Sequence, residues 1–216
     1  MSNWETAQSA LVEHLRRNGA TERVLAALSR VPRDMFVDQE LRHRAFEDEA
    51  LPIGRGQTIS QPAVVAAMTE ALALEPHHRV LEVGTGSGYQ AAVLAELARD
   101  VITVERDPAL AARAWQCLEY MGYRNVTVQT ADGTLGWPPA APYDAILVAA
   151  AGPTIPQPLI EQLAPGGRLV LPVGGRDEQQ LILVTRQPNG PLREVSLGPV
   201  RFVPLVGQQG WPERES

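Results

Sequence analysis

The stretch Arg79–Leu97, RVLEVGTGSGYQAAVLAEL, decides how the rest of the chain is read. Residues 79–83 suit a buried strand, the next five carry Gly84, Gly86 and Gly88, and from Tyr89 the apolar residues fall at helical spacing. Glycines in such a turn let the backbone bend sharply and approach a ligand with no Cβ in the way. The helix behind them presents unpaired N–H groups. The spacing is G-x-G-x-G, preceded by Glu82, and Tyr89 stands where the third glycine of a dinucleotide fingerprint would be.

On the C-terminal side of this stretch, short apolar runs alternate with helical segments, which predicts βαβ units and a parallel sheet. Strands are expected near 79–83, 101–105, 125–129, 143–149 and 167–173, with helices near 88–98, 108–121 and 156–163. Two further β-rich runs, QQLILVTRQ and REVSLGPVRFVPLVG, have no helix between them and are expected to add an antiparallel edge. The whole is an α/β fold: a doubly wound, mostly parallel, seven-stranded Rossmann-like sheet with an N-terminal helical cap. In the cap, one helix near 3–18 carries Trp4, Ala7, Leu11 and Leu15 on a stripe and stops at Gly19. Thr21 is placed to cap a second helix ending near Ser29. The segment LPIGRGQTISQP reads as a loop that ends where Ser60 opens a helix bearing Val64, Val65, Met68, Ala71 and Leu72 on one face. The polar tail GQQGWPERES is expected to fray.

Composition removes several function classes. All 19 basic residues are Arg, so a Walker-type phosphate loop, a lysine Schiff base and a Tyr-x-x-x-Lys proton relay have no lysine to use. The single cysteine, Cys117, forms no internal disulfide or CxxC pair and reads as a core filler, and the four histidines lack metal-ligand spacing, so no metal is expected. A net charge of −6 gives no footprint for nucleic acid. Lacking a long apolar run and a signal-like start, the chain is expected to avoid membranes and to reside in the cytoplasm.

Two acids complete the candidate ligand site. Glu105 ends the second strand 21 residues after Gly84, where a carboxylate can accept hydrogen bonds from both hydroxyls of a ribose. Asp132 and Gly133 end the third, placed to flank an adenine. With the G-x-G-x-G loop these point to an adenosyl ligand with no phosphate to hold, the arrangement associated with class I S-adenosylmethionine-dependent methyltransferases.

The chain resembles one family over most of its length, protein-L-isoaspartate (D-aspartate) O-methyltransferase. The resemblance is carried by MFV at 35–37, AFEDEALPIGRGQTISQP at 45–62, LEVGTGSGYQAA at 81–92, YDAILVAAA at 143–151, LAPGGRLVLPVG at 163–174 and VRFVPL at 200–205. QTISQP discriminates, because the glycine loop fits any class I methyltransferase. The resemblance implies methyl transfer from S-adenosylmethionine to the α-carboxyl of L-isoaspartyl residues in damaged peptides and proteins, with S-adenosylhomocysteine as product and no obligate partner. It assigns the active-site role to Ser60, with Thr58 beside it. Cofactor contacts fall on Ile59, Glu82, Gly84, Thr85, Gly86, Ser87, Gly88, Glu105, Asp132 and Gly133. A single domain over 1–216 is expected to comprise a helical cap and substrate loop (1–60), a cofactor-binding core (61–175) and a C-terminal β-rich, substrate-side segment (176–216).

A carboxylate acceptor is already ionised at neutral pH, so the reaction needs no general base, which suits a site without a His or Lys base. Hydroxyls of Thr58 and Ser60 would orient the carboxylate, and Arg55 is placed to draw an anionic substrate inward. From the residues alone, Ser60 is also a good helix N-cap. Two other readings stay open: a methyltransferase of the same fold with a different acceptor, and a non-catalytic S-adenosylmethionine-binding module.

Overall fold

The computed structural model describes residues 3–188 and 190–213. Seven strands form one sheet in the order β5-β4-β3-β6-β7-β8-β9, where β3 is Arg79–Val83, β4 Asp100–Glu105, β5 Val126–Thr130, β6 Tyr143–Val148, β7 Leu163–Gly174, β8 Gln179–Arg186 and β9 Leu192–Val200. Strands β3 to β7 are parallel to one another, and β8 and β9 are added antiparallel beyond β7, as the two helix-free runs predict. The chain leaves β3 toward β4 and β5, then returns to lay β6 on the opposite side of β3. That reversal opens a crevice at the carboxyl ends of the central strands, where sheets of this kind bind ligands.

Successive residues of a strand face opposite sides of the sheet, and both sides are packed. Val80, Val101, Ala145 and Leu147 join a core with the N-terminal helices α1 (Asn3–Arg17) and α2 (Glu22–Arg30), with α3 (Pro62–Ala71) and with α4 (Tyr89–Ala95). Leu81, Val83, Ile102, Val104, Ile146 and Val148 form the other core with Leu159 of α6 (Gln157–Gln162) and Leu205. The remaining helix, α5 (Pro108–Tyr120), starts at an Asp-Pro pair: Asp107 accepts from the N–H groups of Ala109 and Leu110, and Pro108 occupies the first turn. Among the described residues, no helix is long and apolar enough to cross a membrane.

Four local readings are corrected. LPIGRGQTISQP is partly a β-hairpin, β1 (Leu51–Gly54) against β2 (Gln57–Ile59), with a turn in which Gly54, Arg55 and Gly56 all have positive φ. Short apolar alternation in a Gly/Pro-rich segment hid it. Ser60 does not open α3, because the N-cap is Gln61 and Pro62 is the first helical residue. Thr21 is the N-cap of α2, yet its side chain makes no capping bond. On α1, Leu11 and Leu15 are buried while Trp4 is 46% exposed.

The described part of the tail is tied down. Trp211 donates from its backbone N to Leu205 O at 2.7 Å and from Nε1 to Ala151 O at 3.0 Å. The Arg176 guanidinium lies 4.7 Å from the centre of a Trp211 ring, and Glu213 pairs with Arg106. Backbone groups and an aromatic ring, which composition does not register, hold a segment that reads as polar.

Candidate active site

A cavity of about 380 Å³ lies at the carboxyl ends of β3 and β4. Of the residues expected there, Thr58, Ile59, Ser60, Gly84, Thr85, Gly86, Ser87, Glu105 and Gly133 line it. Glu82, Gly88 and Asp132 are not among its lining residues. A second cavity, about 410 Å³, adjoins it and shares Thr58, Ser60, Ala149 and Val203; its far side is Ala50, Gln61, Val64 and residues 199–202. The two spaces therefore meet at the hydroxyl-bearing residues of the hairpin's exit.

The glycine loop is anchored by its neighbours. Gly88, at φ 89°, caps α4 in the left-handed region. Gly86 N donates to Glu105 Oε2 at 2.9 Å, and Asp107 N donates to Oε1 at 3.0 Å. Glu105 is thereby fixed at the end of β4 by two amides, each of its oxygens keeping acceptor capacity for a hydroxyl of a ligand.

Glu82 is fully buried beneath the loop, facing its register partner Thr103 on β4. Thr103 Oγ1 donates to Glu82 Oε2 at 2.5 Å, and the Thr85 and Thr103 hydroxyls are 2.6 Å apart. Since the Thr103 hydrogen goes to Glu82, Thr85 donates to Thr103 and offers only lone pairs elsewhere. Burial pushes the Glu82 pKa up to about 8, with the Thr103 hydrogen bond opposing and Glu105 adding to the rise. Its Oε1 has no hydrogen-bond partner among the described residues.

Asp132 is engaged elsewhere. Oδ1 accepts from Thr134 N at 2.9 Å and Thr134 Oγ1 at 2.7 Å, and Oδ2 accepts from Gln208 N at 2.8 Å. The carboxylate thus holds a turn and the tail while Gly133 faces the cavity. Arg55 lines the first cavity, and its Nε pairs with Asp107 Oδ2 at 2.7 Å. That hydrogen bond comes first among the causes holding the Asp107 carboxyl below its usual range. The pair ties the β1–β2 turn to the start of α5 instead of presenting a free cation to an incoming anion.

The 200–206 run, expected from the resemblance to lie on the substrate side, divides between the two cavities: residues 199–203 line the second, while Val203, Pro204, Leu205 and Val206 form an inner wall of the first that sequence reasoning did not find. The inner wall runs beside Ala151, just past the end of β6, with Ala151 N donating to Val203 O and Leu205 N to Ala151 O, both at 2.8 Å. Nor did it find Thr103, whose position opposite Glu82 is set by strand register.

The protein-L-isoaspartate(D-aspartate) O-methyltransferase family model matches residues 6–210. The chain belongs to this family. Its relatives include the protein-L-isoaspartate O-methyltransferase 1 of Syntrophobacter fumaroxidans, 55% identical over 213 residues, covering 98% of this chain and 99% of that protein. Another, from Methanoculleus marisnigri, is 57% identical over 190 residues, covering 88% and 86%. A solved protein-L-isoaspartate O-methyltransferase superposes with a TM-score of 0.87 at 28% identity, covering 94% of this chain and 67% of that one. A Plasmodium falciparum structure described as a putative member, solved with S-adenosyl-L-homocysteine, shares the fold at a TM-score of 0.81 and 23% identity, covering 94% and 98%.

Family membership makes the chain an S-adenosylmethionine-dependent methyltransferase acting on isoaspartyl residues. The residues present suit that cofactor. The cavity is of ligand size, the loop at its floor is short of side chains, and Glu105 has acceptor capacity in hand. Among the described residues, no group of His, Cys, Asp and Glu is arranged to hold a metal ion.

Proposed function

We propose that Ser60 and Thr58 form the seam at which the isoaspartyl carboxylate meets the cofactor, with the cofactor in the first cavity and the substrate peptide in the second. The observation that carries this reading is the shared wall: both residues line both cavities. Ser60 is also released from the alternative role of helix cap, since Gln61 occupies the N-cap and Asp48 Oδ1 accepts from Ala63 N at 2.8 Å.

When bound, the cofactor supplies a methyl group on a sulfonium. The chain's task is to bring a carboxylate oxygen into line with it and to exclude water. The Ser60 and Thr58 hydroxyls donate to the oxygen that does not attack, and no residue removes a proton because the acceptor is ionised. Glu105 takes the ribose hydroxyls. Gly84 to Ser87 would lie along the amino-acid portion, with Gly88 capping the helix behind them, Ile59 would pack from the hairpin side, and Gly133 would border the adenine, while Asp132 acts from behind by holding the turn that carries Gly133. Glu82 acts from beneath, through Thr103 and Thr85. The 199–203 segment flanks the second cavity, and an extended, flexible peptide would lie along it. The reading places the work in the cytoplasm, on damaged proteins, without nucleic acid or an obligate partner.

The test is methyl transfer from labelled S-adenosylmethionine to two peptides identical except for one isoaspartyl or aspartyl linkage, with wild type and Ser60→Ala. Labelling of the isoaspartyl peptide alone, as a base-labile ester, with a large loss in Ser60→Ala, is expected. Full activity in Ser60→Ala would remove that hydroxyl from the reaction, and transfer to neither peptide would move the acceptor to another class.

A further inference from the structure

Arg33 is 0% exposed, and none of the described carboxylates forms a salt bridge with it. Its guanidinium is held by backbone carbonyls. Nη1 donates to Ala45 O at 2.5 Å and, at the long limit of 3.5 Å, to Glu47 O; Nη2 donates to Glu49 O at 2.8 Å and Ser60 O at 3.0 Å. The group lies 5.9 Å from the centre of the Tyr89 ring, which Phe36 meets edge-on at 5.6 Å. Nε has no partner.

A buried cation is costly unless its hydrogen bonds are well met, and a fold that needed only filler at this point would be served by an apolar side chain. The carbonyls gathered here have a common purpose. Three precede the β1–β2 hairpin and the fourth is that of Ser60, just after it, so one planar donor group pins both ends of the hairpin. Asp48, between two of the carbonyls, reaches forward to Ala63 N and to Gln61 Nε2, at 2.8 and 3.1 Å. Tyr89, on the other side of the guanidinium, lines the first cavity and begins the helix behind the glycine loop. Arg33 is therefore the point at which the segment bearing Ser60 and the element bearing the glycine loop are referenced to one another.

We propose that Arg33 is a positioning residue for methyl transfer: by clamping the carbonyls of Ala45, Glu49 and Ser60 against the Tyr89 ring, it fixes Ser60 relative to the glycine loop. The proposal rests on the reading of Ser60 given above. A lysine keeps the charge but has neither the planar fork nor its reach to several carbonyls, so Arg33→Lys isolates the geometry.

The experiment measures kcat and KM with an isoaspartyl peptide, and the affinity for S-adenosylhomocysteine, in Arg33→Lys, Ser60→Ala and the double variant, with Arg33→Gln as a second substitution. Arg33→Lys is expected to lower kcat by about tenfold or more while changing S-adenosylhomocysteine affinity less than about twofold. In the Ser60→Ala background the same change should cost less than about twofold, because the group being positioned is gone. Should Ser60→Ala be impaired and Arg33→Lys still exact its full cost there, the positioning role is overturned and the Ser60 reading stands. A fully active Ser60→Ala overturns both. Parallel loss of kcat, ligand affinity and thermal midpoint, or failure of both Arg33 variants to fold even in the cold with ligand present, would make Arg33 a stability residue and overturn the proposal.

Discussion

Thr103 donates to Glu82 across the register that pairs β4 with β3, at 2.5 Å and out of contact with solvent. The burial that raises the Glu82 pKa to about 8 from 4.5 means that the folded protein holds a proton which the unfolded chain releases above about pH 4.5. By linkage, this group makes stability fall as pH rises, by about 1.4 kcal/mol per pH unit between the two values, and the fall ends above the upper one. Glu82→Gln should abolish that component, leaving the variant gaining on wild type from pH 5 to 8 in urea unfolding. Parallel pH profiles for the two proteins would place the proton elsewhere.

Asp48 and Ser60 separate stability from chemistry at the start of α3. Asp48→Ala removes the acceptor for Ala63 N and should lower unfolding free energy by about 1 kcal/mol. Ser60→Ala should stay within about 0.5 kcal/mol of wild type while losing turnover. Denaturation curves beside initial rates check both.

Gly88 tolerates no side chain cheaply. Its φ is 89°, and an added Cβ would stand 3.3 Å from Ala114 Cβ and from Leu118 Cδ1. Gly88→Ala should destabilise by about 1–2 kcal/mol from the backbone alone and weaken S-adenosylhomocysteine binding by displacing the loop before α4. Calorimetry gives both quantities; unchanged affinity would show that the loop absorbs the shift.

The Arg55–Asp107 pair spans from the hairpin turn to α5 at the first cavity, and Arg55 is 61% exposed. Such a pair adds less than about 1 kcal/mol to stability. Its expected effect is on rates: Arg55→Ala should release S-adenosylhomocysteine faster, and about 0.5 M salt should speed release from wild type but not from the variant. Stopped-flow displacement reads this directly.

Removing residues 207–216 takes away Gln208 N from Asp132 and the indole from Ala151. The truncated chain should bind S-adenosylhomocysteine about tenfold more weakly while remaining folded, with isothermal titration as the check; equal affinity would show that the tail's contacts leave the cavity unaffected.

What could be read from the residues follows range. The parallel strands, their helices and the antiparallel edge announce themselves through local periodicity, and the glycine loop with Glu105 follows from strand ends. Features set by register or by distant backbone do not. Thr103 meets Glu82 because two strands pair in one alignment, and Arg33 finds carbonyls up to 27 residues away, with nothing in VPRDMF to say so. Ser60 lay at the boundary between these cases: its neighbours suggest a cap, and only the placement of Pro62 and Asp48 moves the cap off it.

The shared wall of Thr58, Ser60, Ala149 and Val203 has a kinetic meaning, because the rest of each cavity's lining is its own. With cofactor and peptide assigned to the two cavities as proposed, the reactants would enter separately and touch only at the threshold between them. Neither must depart before the other arrives or leaves, so the spent cofactor should compete with fresh cofactor for one entrance and leave the peptide's free.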